Sequence, residues 1–310
     1  MRQWQDARML VWLALHYCAA VCAWTLFPFE PRYFAPLAAW LAISSWVCAL
    51  IAHNALHCPV FKSRPACDAF QIALTCAYGF PVSEYLPGHN LSHHRHLQTR
   101  ADLMRTAKAP FLRVNALNLF FFFPRVALDV FRQNRAYVAA MATRAPAWRR
   151  QLFREAAACW GIKALLLVVD WRRAIAFVVL PHLFAVYGIT TINLFQHDGC
   201  DEKDPLNHSR NFVGKLLNWL TFNNGFHSVH HDTPTLHWSL LPDAHAKRYA
   251  GRLATNLEQR SLFVYLVRTY LFAGRRRRFD GAPMGPLETG PDENWIPKPP
   301  GPSIAPAGVT

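Results

Sequence analysis

At 310 residues the chain is long enough for one large domain or two small ones. Its 52% hydrophobic residues and mean hydropathy of only +0.05 fit a membrane base carrying substantial water-facing mass, not a membrane protein with short loops. The net charge of +14 comes without an aromatic-interleaved basic stripe or a nucleic-acid module signature, which argues against a nucleic-acid partner. Eight cysteines (18, 22, 48, 58, 67, 76, 159 and 200) contain no C-x-x-C pair, which argues against a zinc ribbon, a fused iron–sulfur domain or a disulfide framework.

In chain order, 9–29 holds no charged residue and is long enough to span a bilayer. Arg2 and Arg8 precede it as in a signal peptide, but its far end lacks a small-residue cleavage pattern, so the expectation is an uncleaved first span. A second span is expected over 34–52, joined to the first by a short Pro-rich link. Residues 53–155 are basic and His-rich, with apolar stretches at 69–82 and 114–131 that read as helices lying along the membrane. A second hairpin is expected from 156–169 and 174–196, the former short and carrying Lys163, which would snorkel or sit near the headgroups. Residues 281–310 contain eight Pro and five Gly without apolar periodicity and read as a disordered tail.

The fold class expected is thus an all-α integral membrane protein with about four spans in two hairpins. A helical cap would comprise 53–155 and 197–280, within one domain over 1–280. Residues 1–8, 53–155 and 197–310 hold 2, 14 and 13 Lys+Arg, which places both termini and the cap in the cytosol, as for a bacterial inner-membrane protein.

Ten of the 15 histidines fall in four tight settings. His53 and His57 form an i,i+4 pair on one helical face at the end of the second span. His89, His93 and His94 form a second pair with a neighbour about 100° further round, so that adjacent imidazoles diverge. His96 lies three residues after His93 and can take the place of His89. His227 and His230 form an i,i+3 pair with His231 beside them, and His197 directly follows the last span. Each setting alone suits a polar helix end, a solvated basic helix or an interfacial histidine. Together they lie on one face of one membrane, which favours metal binding. Zinc needs about four ligands, whereas His53, His57, His89, His93, His94, His197, His227, His230 and His231 make nine, a number that fits two ions of high coordination number.

These residues resemble the membrane fatty acid desaturase family, with its three histidine boxes, over about 53–245. Asn224-Gly-Phe-His227-Ser-Val-His230-His231, followed by Pro234, His237-Trp238 and Leu241-Pro242, is similar to the neighbourhood of the third box. Gln196-His197-Asp198 resembles the extra histidine before it. The resemblance implies a non-haem di-iron centre with those nine ligands, an acyl tunnel, and O2-dependent hydrogen abstraction from an unactivated C–H bond. A second abstraction gives an alkene; hydroxyl transfer gives an alcohol. A desaturase of a lipid or acyl chain is therefore expected. A hydroxylase or ketolase of an alkane, sphingolipid or carotenoid is the alternative, and a metal-transport protein the less favoured one, because the spans lack a polar ion path. With no fused redox module evident, a separate electron donor is expected: a ferredoxin, a rubredoxin or a b-type cytochrome system. Glu84, Asp102, Asp198, Asp201 and Asp232 are candidates to orient ligand imidazoles. His96, His208, His237 and His245 are surplus to the pattern and read as supporting or substrate-side residues. His16 and His182 read as packed within spans.

Overall fold

A computed structural model describes residues 1–287 and 290–296. Helix α1 (Ala7–Thr25) and helix α2 (Pro31–His57) form an antiparallel pair, and Pro31 opens α2 where its missing N–H costs nothing. Helix α3 (Arg64–Tyr78) ends at Gly79, whose φ of +100° suits a left-handed helix terminus. A π-helix (Leu86–His93) runs into the single turn α4 (His94–His96). Helix α5 (Asn115–Ala140) follows, then α6 (Pro146–Ala174), a π-helical turn (Ile175–Val179) and α7 (Leu180–His197).

Three helical stretches are long and apolar enough to cross a membrane: Trp4–Thr25, Pro31–His57 and Pro146–His197. The last has 52 residues. At 1.5 Å per residue it would be about 78 Å long, more than twice the roughly 30 Å of hydrocarbon. Asp170 breaks it, with φ −155° and ψ 94°, and its carboxylate accepts from the backbone N–H groups of Arg172 and Arg173 as an N-cap does. Lys163 and His182, on either side of this break, both meet Gly79, so the chain folds back on itself. The first arm begins at Pro146, ten residues before the expected start. Lys163 does not snorkel: it is buried, donates to the Gly79 carbonyl and lies 4.2 Å from the Trp160 ring centre. At the far tips Arg173 donates to the carbonyls of Ala23 and Phe27, tying the two helical pairs together.

The main core packs α1, α2, α3 and α7 against the segments that follow. Gly188 lets α7 approach α2 closely, since a Cβ there would stand 2.7 Å from the Trp46 ring. Beyond α7, two-residue strands β1 (Asn211–Phe212) and β2 (Glu258–Gln259) pair in parallel. They frame short helices α8 (Lys215–Leu220), α9 (His227–Asp232) and α10 (Leu241–Arg248). Helix α11 (Leu262–Leu266) and a π-helical turn (Val267–Leu271) come next.

The folded part runs past residue 280, where a structureless tail was expected. Met284 and Trp295 are buried, and Trp295 stacks on Tyr137. Asp292 pairs with both Arg105 and Lys108, and Glu293 with Arg100. Enough apolar and ionic partners exist to order this Pro-rich stretch without any periodicity of its own. The rest of the expected tail, 288–289 and 297–310, lies outside the described residues.

Candidate metal centre

Five elements deliver the nine histidines. The last turn of α2 carries His53 and His57, the π-helix and α4 carry His89, His93 and His94, the end of α7 carries His197, and α9 carries the remaining three. Their candidate ligand atoms converge in two groups, each with all atoms within 4.8 Å of one another. His53, His57, His89, His94 and His230 make one; His93, His197, His227 and His231 make the other. The groups share a wall, with the rings of His94 and His231 4.4 Å apart.

In the second group the Nε2 atoms of His197, His227 and His231 form a triangle with sides of 2.9, 3.1 and 3.1 Å. In the first, His94 Nε2 lies 3.1 Å from the Nε2 of both His89 and His230. A ring nitrogen directs either one proton or one lone pair outward, so three of them around a point cannot all satisfy each other by hydrogen bonding. A cation at that point does satisfy them. Donors about 2.1 Å from an ion stand about 3.0 Å apart at right angles and about 3.4 Å apart at the tetrahedral angle. The observed spacing is close enough for these nitrogens to share one ion. Burial, and then the neighbouring histidines, hold His89, His94, His227, His230 and His231 well below the ordinary imidazole range, in the neutral form that binds metal. His57 Nε2 and His93 Nε2 are buried with no hydrogen-bond partner among the described residues, and a metal would supply one.

The pairing within the second box differs from that expected of an α-helix. His89 and His93 were to share a face; instead His89 stands with His94, five residues on, and His93 turns to the other group. The π-helix, whose hydrogen bonds run i to i+5, has a wider turn than an α-helix and so changes which of these histidines face each other. In α9, His227 and His231 share a group at i,i+4, and His230 faces the other group. His96 belongs to neither group.

The outer nitrogens are held as well. Asp102 is fully buried, accepts from His93 Nδ1 at 2.9 Å, and is itself fixed by the backbone N–H groups of Gln98 and Met104. His197 Nδ1 donates to the His208 carbonyl at 3.2 Å, and His208 Nε2 lies 3.4 Å from the Asp232 carboxylate. His53 Nδ1 lies 3.2 Å from Asn54 Oδ1, and Asn224 Nδ2 is also close by. The asparagines were missed in the sequence, although each stands inside or beside a box.

The other candidate carboxylates act elsewhere. Asp198 takes a bidentate ion pair from Arg276, Asp201 accepts from the Lys203 N–H, and Glu84 faces a cavity, where burial and then Glu155 push its carboxyl up to about 7. That cavity, of about 180 Å³, is walled by Val126, Val130, Ile189 and His89. His237 bonds Asp6 and so ties the cap to the N-terminal segment, and His245 bonds Glu258 within the cap. His16 is hydrogen-bonded to Ser44, and His182 packs on Gly79.

A search of curated proteins finds none that matches this chain. The family model for fatty acid desaturases matches residues 30–262, a region that contains all nine histidines and the helices that carry them. The chain is therefore an integral membrane protein of the fatty acid desaturase family.

Proposed function

We propose that the nine histidines hold two iron ions and that the chain is an O2-dependent desaturase of an acyl chain or lipid. The observation that carries this reading is the division of the nine imidazoles into adjacent groups of five and four, with nitrogens as close as 2.9 to 3.1 Å. When bound, two irons of this kind supply the redox chemistry that reduces O2 and takes hydrogen from an unactivated C–H bond.

The chain's own residues bind, orient and shield. Asp102, the His208 carbonyl and Asn54 hold the outer nitrogens of His93, His197 and His53, so that the inner nitrogens keep one direction. The burial of these rings keeps bulk water out. The cavity beside His89 gives an apolar chain a route to the first group, and Glu84 and Asn134 add the few polar atoms on its wall. Desaturation removes two hydrogens and reduces O2 to two waters, which takes two further electrons and two protons. A separate donor protein supplies the electrons.

The apolar run broken at Asp170 reads as two spans, giving four in all, with the histidines, the N-terminus and the cap on the cytosolic side. That side holds most of the Lys and Arg. Expression in a host of known lipid content, with untargeted mass spectrometry of wild type and His230→Ala, tests the reaction. A product two hydrogens lighter that is lost in the variant is expected. A product one oxygen heavier would assign the hydroxylase or ketolase reaction instead, and no difference between the two strains would sink both.

A further inference from the structure

We propose that a second site, outside the histidine groups, binds the headgroup of an anionic phospholipid. A cavity of about 550 Å³ beside α11 is lined by Arg210, Arg268, Arg275 and Arg277, with Tyr265 and Phe272 between them and no acidic residue. Among the described residues none of these four arginines has a carboxylate partner within salt-bridge distance, and the buried Asp198 is taken by Arg276. Arg210 is 1% exposed, places its donors on the backbone carbonyls of Phe195, Asp198 and Asn256, and lies 4.7 Å from the Tyr265 ring centre. Four guanidinium groups around one cavity make a favourable place for an anion, and a phosphate supplies acceptors in the geometry they match.

The surroundings favour a lipid phosphate. Phe263, Leu271 and Phe272 are exposed along α11 and the π-helical turn after it. Asn115, the first residue of α5, donates to the Thr269 and Phe272 carbonyls and joins this rim to the exposed Leu117, Phe120 and Phe121. Phe123 then meets Tyr187 on α7 with ring centres 5.5 Å apart. Tyr187 lies ten residues before His197, so the aromatic face descends about 15 Å along a membrane-crossing helix. A headgroup held by the arginines thus has its acyl chains beside a ready apolar surface. Arg210 also grips the carbonyls of Phe195 and Asp198, on either side of His197 in the chain, so the lipid would brace the segment that carries this histidine.

Native mass spectrometry of the detergent-purified full chain with dioleoylphosphatidylglycerol or dioleoylphosphatidylcholine tests the site. The wild type is expected to retain phosphatidylglycerol in preference, and Arg268→Gln/Arg275→Gln/Arg277→Gln to lose that preference by roughly a hundredfold, given what each basic residue contributes near an anionic surface. Arg64→Gln, at a distant basic position paired with Asp68, is expected to leave it unchanged. Equal retention of the two lipids by the wild type, or undiminished preference in a triple variant of normal melting temperature, would overturn the assignment. If the triple variant does not fold, Arg277→Gln alone serves, with a several-fold loss expected and no loss overturning it. Displacement of the lipid by inorganic phosphate, or by a soluble acidic protein at equal concentration, would likewise overturn it. None of these readouts depends on the metal centre or its reaction.

Discussion

Changing His89 to Ala removes a nitrogen 3.1 Å from His94 Nε2, whereas changing His96 removes a ring that enters neither group. Iron analysis and turnover of the two variants should differ: His89→Ala loses both, and His96→Ala keeps both. Retention of iron by His89→Ala would mean that the first group does not hold a metal through this residue. Asp102→Asn tests the outer support. It keeps the volume but weakens the acceptor for His93, so iron affinity or activity should fall about 10–100-fold. Wild-type iron retention under chelator challenge would count against that role. Spacing made the nine histidines legible in the sequence, because boxes of imidazole beside apolar runs are unusual. Their partition was not legible. A π-helix and an α-helix present His89, His93 and His94 in different directions, and no residue type between Leu86 and His93 announces the wider turn.

Helix ends and close approaches decide how the elements seat these residues. Gly79 closes α3 at φ +100°, and a Cβ there would stand 2.2 Å from the His182 ring. Gly79→Ala should therefore cost about 1–3 kcal/mol from the backbone alone, and more from the contact, lowering the melting temperature in detergent. An unchanged melting temperature would show that α3 and α7 can part at no cost. The apolar runs of α1, α2 and α7 were readable from the absence of charge over about 20 residues. The arm over α6 was expected from 156, but its start at Pro146 was not readable, because Glu155 and the basic residues before it interrupt the apolar pattern. Glu155 and Lys163 are buried against partners far away in sequence: Glu155 accepts from Ser83, and Lys163 donates to Gly79. Only tertiary structure could reveal those partners.

For the molecule as a whole, single cysteines introduced at the exposed positions Lys62, Thr99 and Lys247 should react with an impermeant reagent from one side of the membrane, and one at Arg172 from the other. Reaction of positions 62 and 247 from opposite sides would separate the histidines and remove the centre. The segment past 280 ties distant parts together. Asp292→Ala removes the carboxylate that bridges Arg105 and Lys108, on the loop that also holds Asp102. Hydrogen exchange over 97–109 should quicken in that variant, and iron should leave several-fold faster; protection equal to wild type would show that the loop stands alone. Composition hid this strap, since Pro and Gly give it no period, and its hold comes from Asp292, Glu293 and Trp295 at separate points. The strap also sets an order in time. Its carboxylates follow their Arg and Lys partners by 184 to 193 residues. At ribosomal speeds of about 5–20 residues per second, the loop beside His93 waits roughly 10–40 s for its clasp after leaving the peptidyl-transferase centre. A nascent chain can thus thread its spans into the bilayer well before it can lock the second histidine group.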